Sequence, residues 1–70
     1  MSKSLDDYIT EFIESAEKEF KREFTWEAKK EIREEYKIFV CNAKMVAQRV
    51  SFVMGVSSDE VYKLLKKLNS

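Results

Sequence analysis

Apolar residues recur every three or four positions along the first third of the chain, which is the spacing of an amphipathic helix. Ser4 is a suitable capping residue, and Asp6 and Asp7 supply the negative charge that a helix N-terminus favours. We therefore predict a first helix over residues 4–23. Its buried side is predicted to consist of Leu5, Ile9, Phe12, Ile13, Ala16, Phe20 and Phe24.

A second apolar stripe runs over residues 26–54 without a turn signal, so one long central helix capped by Thr25 is the simplest interpretation. The strand-like run over residues 36–41 has no second run to pair with, which argues against a sheet. Asn42 is the weakest position, because asparagine often caps a new helix, and a break there would give four helices instead of three. The stripe consists of Ile32, Tyr36, Phe39, Ala43, Val46, Val50 and Val53.

The central helix would carry a second apolar face on the side opposite this stripe. At 100° per residue, that face contains Ile38, Cys41, Met45 and Phe52. It is covered either by the last helix or by another copy of the chain. Because a chain of this size has a thin core, we predict a homodimer that shields these four residues.

The last third of the chain reads as two helices joined by a tight corner. Gly55, the only glycine, can adopt the left-handed conformation that ends a helix. Ser57 can then cap a new helix, and Glu60 stands three positions later, as in a capping box. Val56 and Val61 flank the cap as a hydrophobic staple. These start signals agree on one helix boundary.

The two helices around this corner resemble the paired helices of helix-turn-helix DNA-binding proteins. The likeness covers residues 50–68, where Ser51 is small at the close approach and Val61 and Leu64 supply apolar contacts. The resemblance implies that the second helix enters the major groove of double-stranded DNA. It also implies a set of DNA-contacting residues, namely Ser57, Ser58, Asp59, Tyr62, Lys63 and Lys66.

Charge is distributed unevenly although the net charge is zero. Residues 42–70 contain five basic and two acidic side chains, whereas residues 1–41 contain eight basic and eleven acidic ones. This asymmetry predicts a basic surface on the C-terminal half, to which Lys44 and Arg49 add. The acidic start of the last helix departs from the family's pattern, because it would repel nearby phosphates.

The composition limits the possible fold classes and the kinds of site that the chain can form. Seventy residues with no proline and one glycine predict a single all-α domain with helices over residues 4–23, 26–54 and 58–68. The absence of histidine and the single cysteine argue against a metal site, a cofactor site and most enzyme chemistry. Cys41 follows three apolar residues and is interpreted as a small buried hydrophobe rather than a reactive thiol. We expect a protein that is not an enzyme and has no small-molecule substrate.

Two functions fit these features. The first is a dimeric DNA-binding regulator of transcription with the last helix as its recognition helix. The second is a small protein-interaction module, an inhibitor or adaptor of the kind that phages and plasmids encode, which docks through its apolar helix face. The first residues, Met1 to Asp7, show no signal peptide and no later run is long enough for a bilayer, so we expect a soluble cytoplasmic protein without membrane contact.

Overall fold

The computed structural model describes residues 3–69, and this part of the chain contains four α-helices and no strand. The expectation of an all-α fold is confirmed for these residues. The helices are α1 Leu5–Phe20, α2 Trp26–Ile38, α3 Ala43–Met54 and α4 Ser58–Asn69.

Helix α1 begins as its sequence predicts and ends three residues early. The Ser4 hydroxyl accepts a hydrogen bond from the Asp7 amide at 3.2 Å, and the Asp7 carboxylate accepts one from the Ser4 amide at 3.3 Å. This is a capping box. At the other end Lys21 adopts a left-handed conformation with φ of 53°, which stops the helix before residue 23.

The predicted continuous helix over residues 26–54 is wrong, because the chain turns between Ile38 and Ala43. The Asn42 side chain accepts a hydrogen bond from the Met45 amide at 3.2 Å and so caps α3. Its own amide donates to the Phe39 carbonyl at 2.9 Å, which closes the turn. β-branched and aromatic residues just before Asn42 have low helix propensity. The four-helix alternative is therefore the one that forms.

All four helices contribute to one apolar core. Phe12 lies at its centre and packs against the Tyr36 ring, with the two ring centres 5.5 Å apart. Ala43, predicted on the central stripe, is exposed in the first turn of α3, and Tyr36, Phe39 and Val53 of that stripe are half-buried. The predicted burial of Leu5 is wrong, because this first residue of α1 is 39% exposed. The buried apolar residues are Ile9, Phe12, Ile13, Ala16, Ile32, Val46, Ala47, Val50, Met54, Val61, Leu64 and Leu65.

The corner between α3 and α4 has the predicted geometry. Gly55 has a φ of +72°, and its amide donates to the Ser51 carbonyl at 2.8 Å. The Ser57 hydroxyl accepts a hydrogen bond from the Glu60 amide at 3.3 Å, as expected of a helix cap. Val61 is fully buried directly after the corner. Both predictions, the left-handed glycine and the serine cap, are confirmed.

Candidate nucleic-acid interface

Arg22, in the segment between α1 and α2, holds the corner from outside. Its Nη1 atom donates to the carbonyl oxygens of Met54 and Gly55, each at 3.0 Å. These carbonyls lie at the C-terminal end of α3, where the helix dipole favours a positive charge. A Cβ atom placed on Gly55 would lie 2.9 Å from the same Nη1 atom. A residue from the other half of the chain thus caps the C-terminal end of α3 at this corner.

Glu17 contacts the segment between α1 and α2 that carries Arg22. The Glu17 carboxylate accepts a hydrogen bond from the Phe24 amide at 3.0 Å, and its Oε2 atom lies 3.7 Å from the Lys29 ammonium. The Arg22 amide donates to the Glu17 carbonyl at 3.1 Å. Arg22 was not among the predicted site residues, because its partners are more than thirty positions away and no local pattern marks such a contact.

Helix α4 buries one side and presents the other. Val61, Leu64 and Leu65 face the core, so the opposite side is open to solvent. The side chain of Lys66 lies over the Tyr62 ring, with its ammonium 5.5 Å from the ring centre. Of the residues predicted to contact DNA, Ser57, Asp59, Lys63 and Lys66 are exposed, and Ser58 and Tyr62 are half-buried.

Helix α3 contributes a second polar surface. Lys44 is exposed in its first turn, and Gln48, four positions later, is exposed on the same helical face. Gln48 was not among the predicted site residues. The signal that could have found it is the four-residue spacing from Lys44, which becomes meaningful only when α3 is known to begin at Ala43.

Two of the predicted basic residues of the C-terminal half are turned towards acidic partners. The Arg49 Nε atom lies 3.3 Å from the Glu35 carboxylate, and its guanidinium lies 5.6 Å from the centre of the Phe39 ring. The Lys67 ammonium lies 3.9 Å from the Glu19 carboxylate on α1. The structure therefore places Arg49 against α2 and Lys67 towards α1, and does not gather all the cations on one surface.

The predicted apolar face lies open along α2 and α3. Ile38 is 68% exposed, Phe52 is 85% exposed, and Met45 is half-buried. The interpretation of Cys41 as a buried residue is wrong, because it lies exposed in the turn between α2 and α3. Helix α4 covers neither Ile38 nor Phe52. Trp26, which was not among the predicted residues of this face, is 75% exposed and lines the same groove as Phe52. Its position off the apolar stripe was the available signal.

Within residues 3–69, no three acidic or cysteine side chains are grouped so as to hold a metal ion, and no helix has the length and apolarity needed to cross a membrane. No protein-family model matches the chain, and no curated protein or solved structure matches it either.

Proposed function

We propose that this chain is a small DNA-binding regulatory protein that inserts the N-terminal half of α4 into the major groove. One observation carries the proposal. The α3–α4 corner combines a left-handed Gly55, a Ser57 cap and the Arg22 contacts, and Asp59, Lys63 and Lys66 of α4 are exposed beyond it. A fixed corner with an exposed second helix is the arrangement by which helix-turn-helix proteins read bases.

The exposed residues of α4 have complementary tasks in this proposal. Ser57 and Ser58 stand at the start of the helix, where hydroxyl groups contact phosphates or base edges. Lys63 donates to acceptors such as the guanine O6 and N7 atoms, or to a phosphate. Asp59 accepts only from an amino group, such as that of cytosine, and so contributes discrimination at the expense of affinity.

Three lysines provide the electrostatic part of the proposed surface. Lys44, Lys63 and Lys66 are exposed, and within residues 3–69 none of them forms an ion pair. Arg49 is held by Glu35 instead. Three phosphate contacts correspond to a salt slope of roughly −3 in log K against log salt concentration, so we expect modest affinity that falls steeply with salt.

We also propose a homodimer, as helix-turn-helix proteins commonly bind paired half-sites. Ile38 and Cys41 are exposed at the turn between α2 and α3, and Met45 is half-buried in the first turn of α3. An isologous contact there would shield these three residues. Phe52 lies seven residues beyond Met45, or about 10 Å along the helix at 1.5 Å per residue.

The test is an anisotropy titration of the chain against a pool of random duplex DNA at low salt. Lys66→Ala should weaken binding and reduce the salt slope by about one unit. Asp59→Ala should tighten non-specific binding, because it removes an anion near the phosphates. Lys18→Ala, an exposed lysine on α1, is the matched control and should change neither quantity. No binding by tens of micromolar protein, or an equal loss with Lys18→Ala, would refute the proposal.

The second candidate function is a protein-interaction module, and the exposure of Phe52 and Trp26 favours it. In that case Lys66→Ala and Asp59→Ala would have mild effects. Met45→Glu or Phe52→Glu would abolish partner binding, because a buried charge in an apolar contact is costly.

A further inference from the structure

An open groove of about 590 Å³ lies between the start of α2 and the end of α3. Trp26 and Phe52 line it from separate helices, and both are largely exposed. Ala28 and Val53, both half-buried, add apolar surface between them. Two large exposed aromatic side chains that line one groove are typical of the central part of a protein–protein contact.

The rest of the groove is acidic. Three glutamates from α2 line it, against one lysine, Lys30, whose ammonium lies 5.7 Å from the centre of the Trp26 ring. The three are Glu27, Glu31 and Glu34, and all are exposed. The charged side chains that line the groove thus have an excess of negative charge, which selects a partner with basic side chains around an apolar centre.

A second copy of the chain does not satisfy this surface. An isologous contact sets the same residues against themselves, and it would double the excess of carboxylates in one interface. The turn at Ile38, where we place the dimer contact, is twelve residues from Trp26, or about 18 Å along α2. No residue of α4 lines the groove, so bound DNA would leave it accessible.

We propose that this groove, defined by Trp26, Ala28, Glu31, Phe52 and Val53, docks an amphipathic basic segment of another protein. Apolar side chains of that segment pack between the Trp26 and Phe52 rings. Its lysines or arginines pair with the surrounding glutamates. The inference goes beyond DNA binding, because it gives the protein a second, independent surface through which it recruits or blocks a partner.

The experiment uses the fluorescence of Trp26, the only tryptophan of the chain. The full chain is titrated with a synthetic peptide of roughly 15 residues, with leucines at helical spacing and lysines elsewhere. A saturable blue shift of the Trp26 emission is the expected result, since burial removes water from the ring. A peptide with glutamates in place of the lysines, and a scrambled basic peptide without an apolar face, should produce no shift.

Matched variants locate the contact by the anisotropy of a labelled basic peptide. Phe52→Ala should weaken binding by roughly tenfold or more, whereas Leu68→Ala, another exposed apolar residue, should change it by less than about twofold. Glu31→Gln with Glu34→Gln should weaken binding and flatten its salt dependence. Glu14→Gln with Glu23→Gln, exposed carboxylates elsewhere, should have no effect.

Three results would overturn the inference. The acidic peptide could bind as well as the basic one, or Phe52→Ala and Leu68→Ala could have equal effects. The third is that Phe52→Ala converts a dimer to a monomer in sedimentation, which would make a second copy the occupant. None of these results bears on DNA binding, which Phe52→Ala should leave unchanged, so the two proposals fail separately.

Discussion

A side chain at Gly55 would be unfavourable for two reasons, backbone strain and crowding of a neighbouring side chain. A side chain at its φ of +72° costs about 1 kcal/mol, and its Cβ would also crowd the Arg22 Nη1 atom at 2.9 Å. We expect Gly55→Ala to lower the free energy of unfolding by about 2 kcal/mol in urea titrations. The cost should fall to about 1 kcal/mol in an Arg22→Ala background, where only the backbone strain remains.

Lys21 is the matched control, since it is the non-glycine residue with a left-handed backbone in the described part of the chain. Lys21→Gly should raise the free energy of unfolding by up to about 1 kcal/mol. An equal cost of Gly55→Ala with and without Arg22 would contradict the crowding argument.

Tyr36 makes stability depend on pH in the alkaline range. Its ring packs beside Phe12, and burial raises the pKa of its hydroxyl above the ordinary value of 10.0. The unfolded chain therefore loses this proton at lower pH than the folded chain does. We expect the free energy of unfolding to fall as pH rises above 10.0 and through the higher folded pKa.

Tyr36→Phe should remove part of that alkaline loss, measured as the difference between urea titrations at about pH 9 and about pH 11. The control is Tyr8→Phe, since Tyr8 is 48% exposed. Equal alkaline losses in Tyr36→Phe and in the unchanged protein would contradict the assignment.

At the residue scale, local chemistry was predictable and distant chemistry was not. The Ser4, Ser57 and Gly55 conformations follow from hydrogen bonds and sterics within a few positions, so short patterns are sufficient. The contacts of Arg22 and the pairing of Arg49 with Glu35 depend on how helices pack, which no short pattern encodes. Most residues of the candidate interface could therefore be predicted from the corner motif, whereas the residues that support the corner are identified only by the structure.

At the scale of elements, Asn42 decides whether the central region is one helix or two. Its side chain accepts from the Met45 amide, one of the free amides at the start of α3. We expect Asn42→Ala to lower the free energy of unfolding by about 1 kcal/mol, while Asn42→Asp should retain most of the stability. Asn69→Ala, at the exposed last residue of α4, is the control and should be nearly neutral. Equal stability of Asn42→Ala and the unchanged protein would show that the cap is not needed.

The break between α2 and α3 also explains why part of the apolar pattern gave a wrong prediction. A continuous helix places Ile38 and Cys41 on one face with Met45 and Phe52, but Cys41 now lies in the turn that separates Ile38 from Met45 and Phe52. Helical periodicity predicts burial within an element, and it fails across a boundary because the phase of the second helix is set anew. Ala43 was assigned to the core for the same reason.

At the scale of the whole molecule, the exposed apolar turn predicts self-association. We expect sedimentation to show a dimer at high micromolar concentration, and Ile38→Glu to shift it to a monomer, because the change places a charge in the apolar contact. Trp26→Glu, on an exposed residue about 18 Å away along α2, should leave the dimer intact. A monomer at high micromolar concentration in the unchanged protein would refute the dimer.

The all-helical class was predictable from composition alone, since one glycine and no proline leave little to interrupt a helix. The surface was less predictable. The sequence shows that basic residues are in excess in the C-terminal half, but it does not show which of them pair with acidic residues of other helices. Lys67 of α4, for example, lies beside Glu19 of α1.

The Arg22 contacts have a further consequence for the order of assembly. They join residues 32 and 33 positions apart, so they form only after α1 and α2 have folded back on the α3–α4 pair. The local hydrogen bonds of the corner form without that closure, so we expect the Arg22 hydrogen bonds to form late in folding. Loss of the Arg22 side chain should therefore accelerate unfolding and leave the folding rate almost unchanged. The Arg22 hydrogen bonds therefore prolong the lifetime of the folded corner without speeding its formation.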